Sequence, residues 1–171
     1  MKNRKLIAEW YDTYSLSLYK YIIKIVKDIY QAEDITQETF IKAYDYIAQG
    51  NHVNYPKTFL YRTAYNLTID HLRKQSPIHM IKDFFVNRKD IRPTVEQMVE
   101  MSEDVQELYD ALHQLKASYR HVIILRKIEE FSIKETATIL NWSESKVKST
   151  LFRALPALEK KLIKGGFINE I

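Results

Sequence analysis

The sequence predicts an all-α protein with two small helical domains joined by a linker. Apolar residues recur at three- and four-residue spacing over most of the chain, which is the pattern of amphipathic helices. Its 171 residues include only three Gly and four Pro, which suits a mostly helical chain. Between residues 76 and 102 this spacing breaks down, and Pro77 and Pro93 punctuate the stretch. We therefore predict a first domain at 1–75, a linker at 76–102 and a second domain at 103–171.

The composition excludes several classes of protein. There is no cysteine, so disulfide bonds and thiolate metal sites are ruled out, and a reducing compartment fits. No apolar run approaches the roughly 18 residues of a membrane span, and the N-terminus lacks the apolar segment of a signal peptide. We therefore predict a cytoplasmic protein.

Charge is distributed in three blocks. Eleven Lys and Arg outnumber eight Asp and Glu in residues 1–75, and the same counts hold for residues 105–171. Residues 76–104 carry four basic and six acidic side chains. Two basic ends around an acidic middle indicate two separate modules that face polyanions, rather than one continuous binding face.

The first domain begins with two predicted helices. The first spans about Arg4–Lys27 as one or two segments and ends near Asp28, and the second spans about Gln31–Ala48. The expected core residues are Leu6, Ile7, Trp10, Tyr14, Leu18, Tyr21, Ile22 and Ile25 in the first, and Ile35, Phe40, Ala43, Tyr44 and Ile47 in the second.

A polar stripe runs along the second predicted helix, opposite its core face. Asp34, Gln37, Glu38 and Lys42 lie three or four residues apart and therefore share one side of the helix. Most stripes of this kind are simply solvated, and the residue types alone do not decide between solvation and a binding surface.

A loop and a third helix complete the first domain. Residues 49–56 have the Gly, Asn and Pro content of a loop, and the helix is predicted from about Lys57 to Lys74. Bases stack on aromatic rings while cations hold phosphate, so aromatic and polar side chains near this loop suit single-stranded nucleic acid. Aromatic residues at helical spacing also build cores, and both interpretations stay open. The side chains concerned are Tyr55, Phe59, Tyr61, Arg62, Tyr65 and Asn66.

The linker and the start of the second domain are read from their apolar residues. Within the linker, Phe84 and Phe85 predict a short helix that docks on this chain or on a partner. The second domain is predicted to contain four helices. The first spans about Glu103–Leu115, and Ser118 is expected to cap the second. Apolar residues of that second helix are Val122, Ile123, Leu125 and Ile128.

The last two helices are predicted to form a helix-turn-helix. Ser132 can cap a short helix, and Asn141 can take the left-handed conformation that ends it. Trp142 supplies an apolar plug, and Ser143 or Ser145 can cap the next helix. That helix has an expected buried stripe of Val147, Leu151, Leu155, Leu158 and Leu162. Lys146, Lys148, Ser149, Phe152 and Arg153 lie mostly away from it. Such a basic helix can enter the major groove, although an ordinary helical hairpin with solvated lysines has the same pattern.

No pattern of catalytic residues is found. The five histidines, at positions 52, 71, 79, 113 and 121, show no metal-ligand spacing. There is no Gly-rich phosphate loop and no G-x-S-x-G. We therefore predict a protein that is not an enzyme and needs no cofactor or metal.

Three segments together resemble the sigma factors of RNA polymerase, specifically the small extracytoplasmic-function group. Ala32–Phe40 is similar to the A-E-D-x-x-Q-E-x-F signature of conserved region 2. Phe59–Lys74 resembles the W-L-Y-R-I-A-x-N…I-D-x-x-R helix of the same region. Tyr119–Arg126 and Phe131–Arg153 resemble conserved region 4. The first and second domains then correspond to region 2 and region 4.

This resemblance implies an initiation factor that binds core RNA polymerase and directs it to promoters. Asp34, Gln37 and Glu38 would bind the clamp helices of the largest polymerase subunit. The linker would thread toward the polymerase active centre. The residues that would melt and hold the −10 element are Asn51, His52, Asn54, Tyr55, Phe59, Arg62, Tyr65 and Asn66. Those that would read the −35 duplex are Ser145, Lys146, Lys148, Ser149, Phe152 and Arg153. The family also implies a membrane-linked anti-sigma protein that holds both domains and hides both DNA faces.

The chain departs from the family pattern at four places. Phe59 stands where the family usually has Trp, and Phe152 replaces a frequent His. The −10 loop is unlike the common F-x-G form, and Pro156 is expected to kink the DNA-reading helix downstream of its base-reading turns.

Two alternatives remain open at this level. One is a self-sufficient helix-turn-helix repressor whose first domain dimerises or holds a ligand. The other is a helical protein-binding module without a role at DNA.

Overall fold

The structure is a computed structural model that describes residues 1–85 and 102–166, without the side chains of 75–85. The chain divides into two compact units, Met1–Val99 and Glu100–Ile171. The first unit contains α1 (Lys2–Val26), α2 (Ile29–Ala48) and α3 (Pro56–Phe85). The second contains α4 (Glu103–His113), α5 (Ala117–Ile123), a π-helical segment (Ile124–Ile128), α6 (Ile133–Leu140) and α7 (Glu144–Lys164). The regular elements of the described residues are all helical, and the all-α prediction is confirmed.

The first unit is a bundle in which α1, α2 and α3 each pack against the other two. The rings of Tyr21 and Tyr61 lie 4.9 Å apart between centroids, and both are buried. Tyr61 is therefore a core residue rather than part of a nucleic-acid surface. Buried residues of the bundle are Trp10, Leu18, Tyr21, Ile22, Ile23, Ile25, Ala32, Ile35, Phe40, Ala43, Leu60, Tyr61 and Ala64. Half-buried members of the predicted core are Leu6, Ile7, Tyr14, Tyr44 and Ile47.

The junction between α1 and α2 consists of two residues. Lys27 has φ 54°, in the left-handed region, and its N–H donates to the carbonyl of Ile23 at 2.9 Å. Asp28 then caps α2, because its carboxylate accepts a hydrogen bond from the N–H of Gln31 at 3.1 Å. Residues 2–26 thus form one helix, and α2 begins two residues earlier than predicted.

Helix α3 extends beyond its predicted end. Pro56 occupies the first helical position, where its missing N–H costs no hydrogen bond. The helix then continues to Phe85, 11 residues past Lys74, so its last part lies within the predicted linker. The short helix predicted near Phe84 and Phe85 is the end of this element. Most of the remaining linker, residues 86–101, lies outside the described residues.

The second unit is built from shorter helices. Helices α4, α5 and α6 each pack against α7, and α6 also packs against the π-helical segment. Among residues 102–166, the polar side chains that are buried are His121, Thr136 and Thr150. The buried apolar residues of this unit are Tyr109, Ala111, Leu112, Leu115, Val122, Ile123, Ile124, Leu125, Phe131, Ala137, Ile139, Leu140, Val147, Ala154 and Leu158.

The predicted signals of the helix-turn-helix are confirmed. The Ser132 hydroxyl caps α6 by accepting from the N–H of Glu135 at 3.0 Å. Asn141 has φ 57° and ψ 46°, the left-handed conformation expected at the end of α6. Between the two possible caps of α7 the structure selects Ser143, whose hydroxyl accepts from the N–H of Lys146 at 3.1 Å. Helix α7 then continues through Pro156 to Lys164.

Two predictions in this unit are wrong. Ser118 does not cap α5, because the helix begins at Ala117 and its N-cap position is Lys116, without a side-chain cap. Leu155 does not belong to the buried stripe of α7 and is 38% exposed. Each four-residue step overshoots a full helical turn by about 40°, so two steps from Val147 carry Leu155 to the edge of the buried face. Thr150 and Ala154, both buried, occupy that face instead.

Candidate nucleic-acid and protein-binding surfaces

The outer side of α2 presents a continuous exposed face. Asp34, Gln37, Glu38 and Lys42 are all exposed, as the spacing predicts. Ile41 lies among them on the same side and is 60% exposed. The face therefore combines two carboxylates and an amide with an apolar residue that sequence reasoning did not single out.

A groove opens where α1 meets α2, beside this face. Its volume is about 460 Å³, and Arg4 and Asp12 lie among its otherwise mostly apolar lining. The ring of Tyr11 meets Phe40 edge-on with 5.0 Å between centroids, and 46% of Tyr11 remains exposed. Because Ile41 lines the groove as well, the charged face and the apolar groove are continuous. The remaining lining residues are Ile7, Ala8 and Tyr44.

The second surface lies on the loop before α3 and the first turns of that helix. Tyr55, Phe59, Arg62 and Asn66 follow one another at four- and three-residue steps and therefore share one side. Tyr55 is 77% exposed, and the structure leaves Arg62 and Asn66 exposed too. Phe59 is half-buried because its ring lies against that of Tyr46, with 5.0 Å between centroids.

The other predicted residues of this surface surround that side. Asn51, His52 and Asn54 are exposed in the loop, and the Asn51 amide donates to the carbonyl of Tyr46 at 3.0 Å. Tyr65 is half-buried, and this burial raises the pKa of its phenol. All eight predicted side chains thus lie on one short stretch, six of them exposed.

The third surface is the outer face of α7. Ser145, Ser149 and Arg153 are exposed on the side opposite the buried residues of the helix. Phe152 lies on the same side and is 81% exposed, so an aromatic ring stands in solvent at the centre of this face. Lys146 and Lys148 are also exposed, but residues two apart point about 200° away from each other on a helix. The two lysines therefore lie at opposite edges of the face.

Lys146 differs from Lys148 in its contacts. Its ammonium nitrogen lies 4.3 Å from the centroid of the Trp142 ring, within the range of a cation–π interaction. Trp142 itself is half-buried in the turn, and its backbone N–H donates to the carbonyl of Ala137 at 3.0 Å. Lys146 is therefore joined to the turn that precedes α7.

Two arginines that sequence reasoning missed connect elements of the second unit that precede the helix-turn-helix. Arg120 donates from Nε to the carbonyl of Leu112 at 3.2 Å, and from one terminal nitrogen to those of His113 and Leu115 at 3.3 and 3.0 Å. The carbonyls of Leu112 and His113 belong to the last turn of α4, and that of Leu115 lies just beyond its end. Arg126 donates to the carbonyl of Phe131 at 2.5 Å, where the chain turns into α6. No local motif marks either arginine, because their partners lie five to eight residues away along the chain.

His121 is the one buried histidine in the described part of the second unit. Burial, with smaller contributions from the positive charge of Arg120 and from His113, lowers its pKa to about 4. The imidazole is therefore neutral at physiological pH. It lies in the core rather than at any of the three surfaces.

The described residues offer few groups for other chemistry. Across residues 1–85 and 102–166 no cluster of three or more His, Asp or Glu side chains is arranged to hold a metal ion. Among the helices that the structure describes, none is long and apolar enough to cross a membrane.

Each of the two units matches a known protein family. Residues 10–78 match the family described as sigma-70 region 2, and residues 105–158 match sigma-70 region 4. The chain is 38% identical over 157 residues to the ECF RNA polymerase sigma factor SigX of Bacillus subtilis, covering 89% of this chain and 81% of the relative. It is 32% identical over 164 residues to SigM of the same organism, covering 96% and 99%.

Two solved structures are similar to this chain. The sigma factor RpoE of Bartonella quintana, crystallised with the anti-sigma factor NepR, is 25% identical with a TM-score of 0.72. That match covers 92% of this chain and 97% of the other. CnrH, solved with the cytosolic domain of CnrY, is 18% identical with a TM-score of 0.67, covering 94% and 90%, and shares the fold.

Proposed function

Because the chain belongs to the sigma-70 family of RNA polymerase sigma factors, in its extracytoplasmic-function group, we propose that its two units divide promoter recognition between them. As a member of that family it is a transcription initiation factor that directs RNA polymerase to promoters. The first unit binds core polymerase and the −10 element, and the second reads the −35 element. RNA polymerase acts in the cytoplasm, and we infer that this protein acts there too.

The core-polymerase site of this proposal is the outer face of α2. Asp34, Gln37 and Glu38 are exposed within little more than one turn, so a partner can reach all three at once. The carboxylates favour a partner with Arg or Lys at the contact. The adjoining groove at Tyr11 and Ile41 offers a place for an apolar side chain of the same partner, which a solvated stripe would not need.

The −10 site of this proposal is the side of α3 that carries Tyr55, Phe59, Arg62 and Asn66. Exposed aromatic rings beside a guanidinium and amides can stack bases and hold the backbone of a single strand. Promoter melting then follows from binding energy, since a surface that binds only unpaired bases shifts the duplex toward the open state.

The −35 site of this proposal is the outer face of α7. Its N-terminal turns carry Ser145, Lys148 and Ser149, which places them where recognition helices reach base edges. Phe152 can contact the methyl group of thymine, and Arg153 lies a turn further along. The observation that carries the proposed function is this face, where every predicted side chain is exposed on a helix that the family model matches as region 4.

The proposed division of the chain follows from these sites. We keep 1–75 as the region 2 domain, 76–102 as the linker and 103–171 as the region 4 domain. The boundary between the compact units, at Val99 and Glu100, supports two modules, while α3 carries helix into the first part of that linker. We also propose an anti-sigma factor that covers the DNA faces, because the similar factor of Bartonella quintana was crystallised with one.

The deciding experiment is run-off transcription with purified core polymerase and promoter fragments from the source genome. We expect specific transcripts only when this protein is added, and weak binding to duplex DNA in the absence of polymerase. Tight, sequence-specific binding by the free protein, with no transcripts, would instead establish the repressor. The repressor has no support in the comparisons, since both units match sigma-70 models.

A further inference from the structure

Lys146 occupies an unfavourable place for a cation. It is the third residue of α7, close to the positive end of the helix dipole. Lys148 has no corresponding ring contact among the described residues, whereas the ammonium of Lys146 lies 4.3 Å above the Trp142 ring. The negative face of that ring offsets the repulsion at the helix end.

The backbone and the side chain of Lys146 both contact the turn before α7. Its backbone N–H donates to the Ser143 hydroxyl at 3.1 Å, and its side chain covers Trp142. The backbone of Trp142 is in turn bonded to α6, because its main-chain N–H donates to the carbonyl of Ala137 at 3.0 Å. A chain of contacts therefore runs from α6 through Trp142 to the first turn of α7, the part of the helix that has to meet the bases.

We propose that Lys146 is a positioning residue of the DNA-reading helix, and that its ammonium remains on Trp142 instead of contacting phosphate. This inference rests on the proposed −35 function of α7. It removes Lys146 from the set of direct DNA contacts and leaves the phosphate contact of this face to Arg153, one turn beyond Ser149. Lys146 affects promoter affinity only through the orientation of α7.

The test is the salt dependence of promoter binding by holoenzyme reconstituted from core polymerase and the full chain. Each lysine that contacts a phosphate contributes about one to the slope of log affinity against log salt. We expect Lys146→Ala to reduce affinity about two- to five-fold, the loss of one exposed cation–π contact, with the slope unchanged. The control, Arg153→Ala, removes a cation of the same face that is expected at phosphate and should lower the slope by about one.

A double-mutant cycle tests the partner ring. Trp142→Leu should reduce affinity as much as Lys146→Ala, and the double variant should lose no more than either single one. Lys146→Arg should restore affinity, because a guanidinium also binds an aromatic face. If Trp142→Leu fails to fold by circular dichroism, Trp142→Tyr, which keeps a ring, should show an intact Lys146 effect.

Two results would overturn the inference. One is a slope that falls by about one in Lys146→Ala, which would place the ammonium on a phosphate. The other is full additivity of the Lys146 and Trp142 losses. Neither result would touch the proposed function, which fails separately if Lys148→Ala and Arg153→Ala leave affinity and −35 preference unchanged. In that case, coupling between Lys146 and Trp142 in urea unfolding still decides whether the two side chains act together.

Discussion

Helices α2 and α7 have similar lengths, but α2 packs against long helices and α7 packs against short ones. They span 20 and 21 residues, and each presents an exposed charged face, acidic on α2 and basic on α7. Helix α2 lies in a bundle with helices of 25 and 30 residues. Helix α7 rests on helices of 11, 7 and 8 residues, whose ends need side-chain partners. The acidic surface is thus supported chiefly by apolar packing, and the basic surface also by polar contacts at helix ends.

Tryptophan fluorescence can monitor the unfolding of each unit separately. The chain has two tryptophans, and Trp10 lies in the first unit while Trp142 lies in the second. Replacing either one by Phe leaves a fluorophore that reports on the other unit. The difference in support between α2 and α7 therefore predicts different responses of the two signals.

The largest expected effect is on the acidic face. Asp34→Lys combined with Glu38→Lys should weaken binding to core polymerase about a hundredfold or more, because two attractive charges become repulsive in a desolvated contact. The free energy of unfolding should change by less than about 0.5 kcal/mol per site, since both side chains are exposed. Affinity is measured by titration of labelled protein with core polymerase.

The control makes the same change of charge elsewhere in the unit. Glu9→Lys combined with Glu33→Lys alters exposed positions that lie off the face, since neighbours on a helix point about 100° apart. Equal losses for both double variants would mean that net charge, and not this face, determines the affinity.

The next effect concerns the support of α7. Arg120→Ala should destabilise the second unit by about 3 kcal/mol, because the carbonyls of Leu112, His113 and Leu115 lose a charged donor. The Trp142 signal should shift to lower urea concentration, and the Trp10 signal should not move. Arg120→Lys keeps the charge but not the fork of donors, so it should recover only part of the loss. A coincident shift of both signals would show that the two units unfold together.

The pH dependence of unfolding distinguishes the stabilities of the two units without replacing Arg120. The pKa of His121 is about 4 in the folded chain and about 6.5 unfolded, so between these values the unfolded state binds more protons. Its contribution to stability is full above pH 6.5 and is lost as pH falls toward 4, by roughly 3 kcal/mol. His121→Leu should flatten this part of the profile in the Trp142 signal. An unchanged pH dependence in that variant would assign the effect to other groups.

The contrast between local contacts and contacts between helices also explains which features could be predicted from the sequence. The caps at Ser132 and Ser143 and the left-handed Asn141 were predictable, because each depends on a side chain and its own neighbouring backbone. The incorrect prediction that Ser118 caps α5 has a different cause. Helix α5 begins at Ala117 without a side-chain cap, and Arg120 in it reaches back to the carbonyls of Leu112 and His113 in α4, contacts between helices that no local pattern carries.

The candidate surfaces were likewise predictable where they lie on one helix and not where they depend on contacts between elements. Spacing predicted that the polar stripe of α2 and the polar face of α7 would be exposed, since helical period fixes which residues share a side. It did not predict the groove at Tyr11 and Ile41, because its two walls come from different helices. Nor did it predict Lys146 over Trp142, since the geometry of the turn brings the ring beneath the ammonium.

A smaller effect distinguishes two cations of α7. Lys148→Ala and Arg153→Ala should each reduce affinity for the promoter by about 1–3 kcal/mol. Lys148 lies nearer the N-terminal turns, so we expect its loss to relax the preference among −35 sequences, whereas loss of Arg153 should weaken binding to all of them equally. Affinities of the holoenzyme for native and altered −35 elements measure both. The reverse pattern would place Arg153 at the bases.

The smallest effect compares the residues before the two helices. Lys27 precedes α2 with φ 54°, and Asn141 ends α6 before α7 with φ 57°. Both are exposed, but Asn tolerates the left-handed region better than Lys because its short polar side chain can bond locally. Exchanging the residue types should therefore act in opposite directions. We expect Lys27→Asn to stabilise the first unit by about 0.5–1 kcal/mol and Asn141→Lys to destabilise the second by a similar amount. Urea unfolding followed by each tryptophan measures the pair, and shifts of the same sign would mean that side-chain contacts, not backbone conformation, decide stability at these two positions.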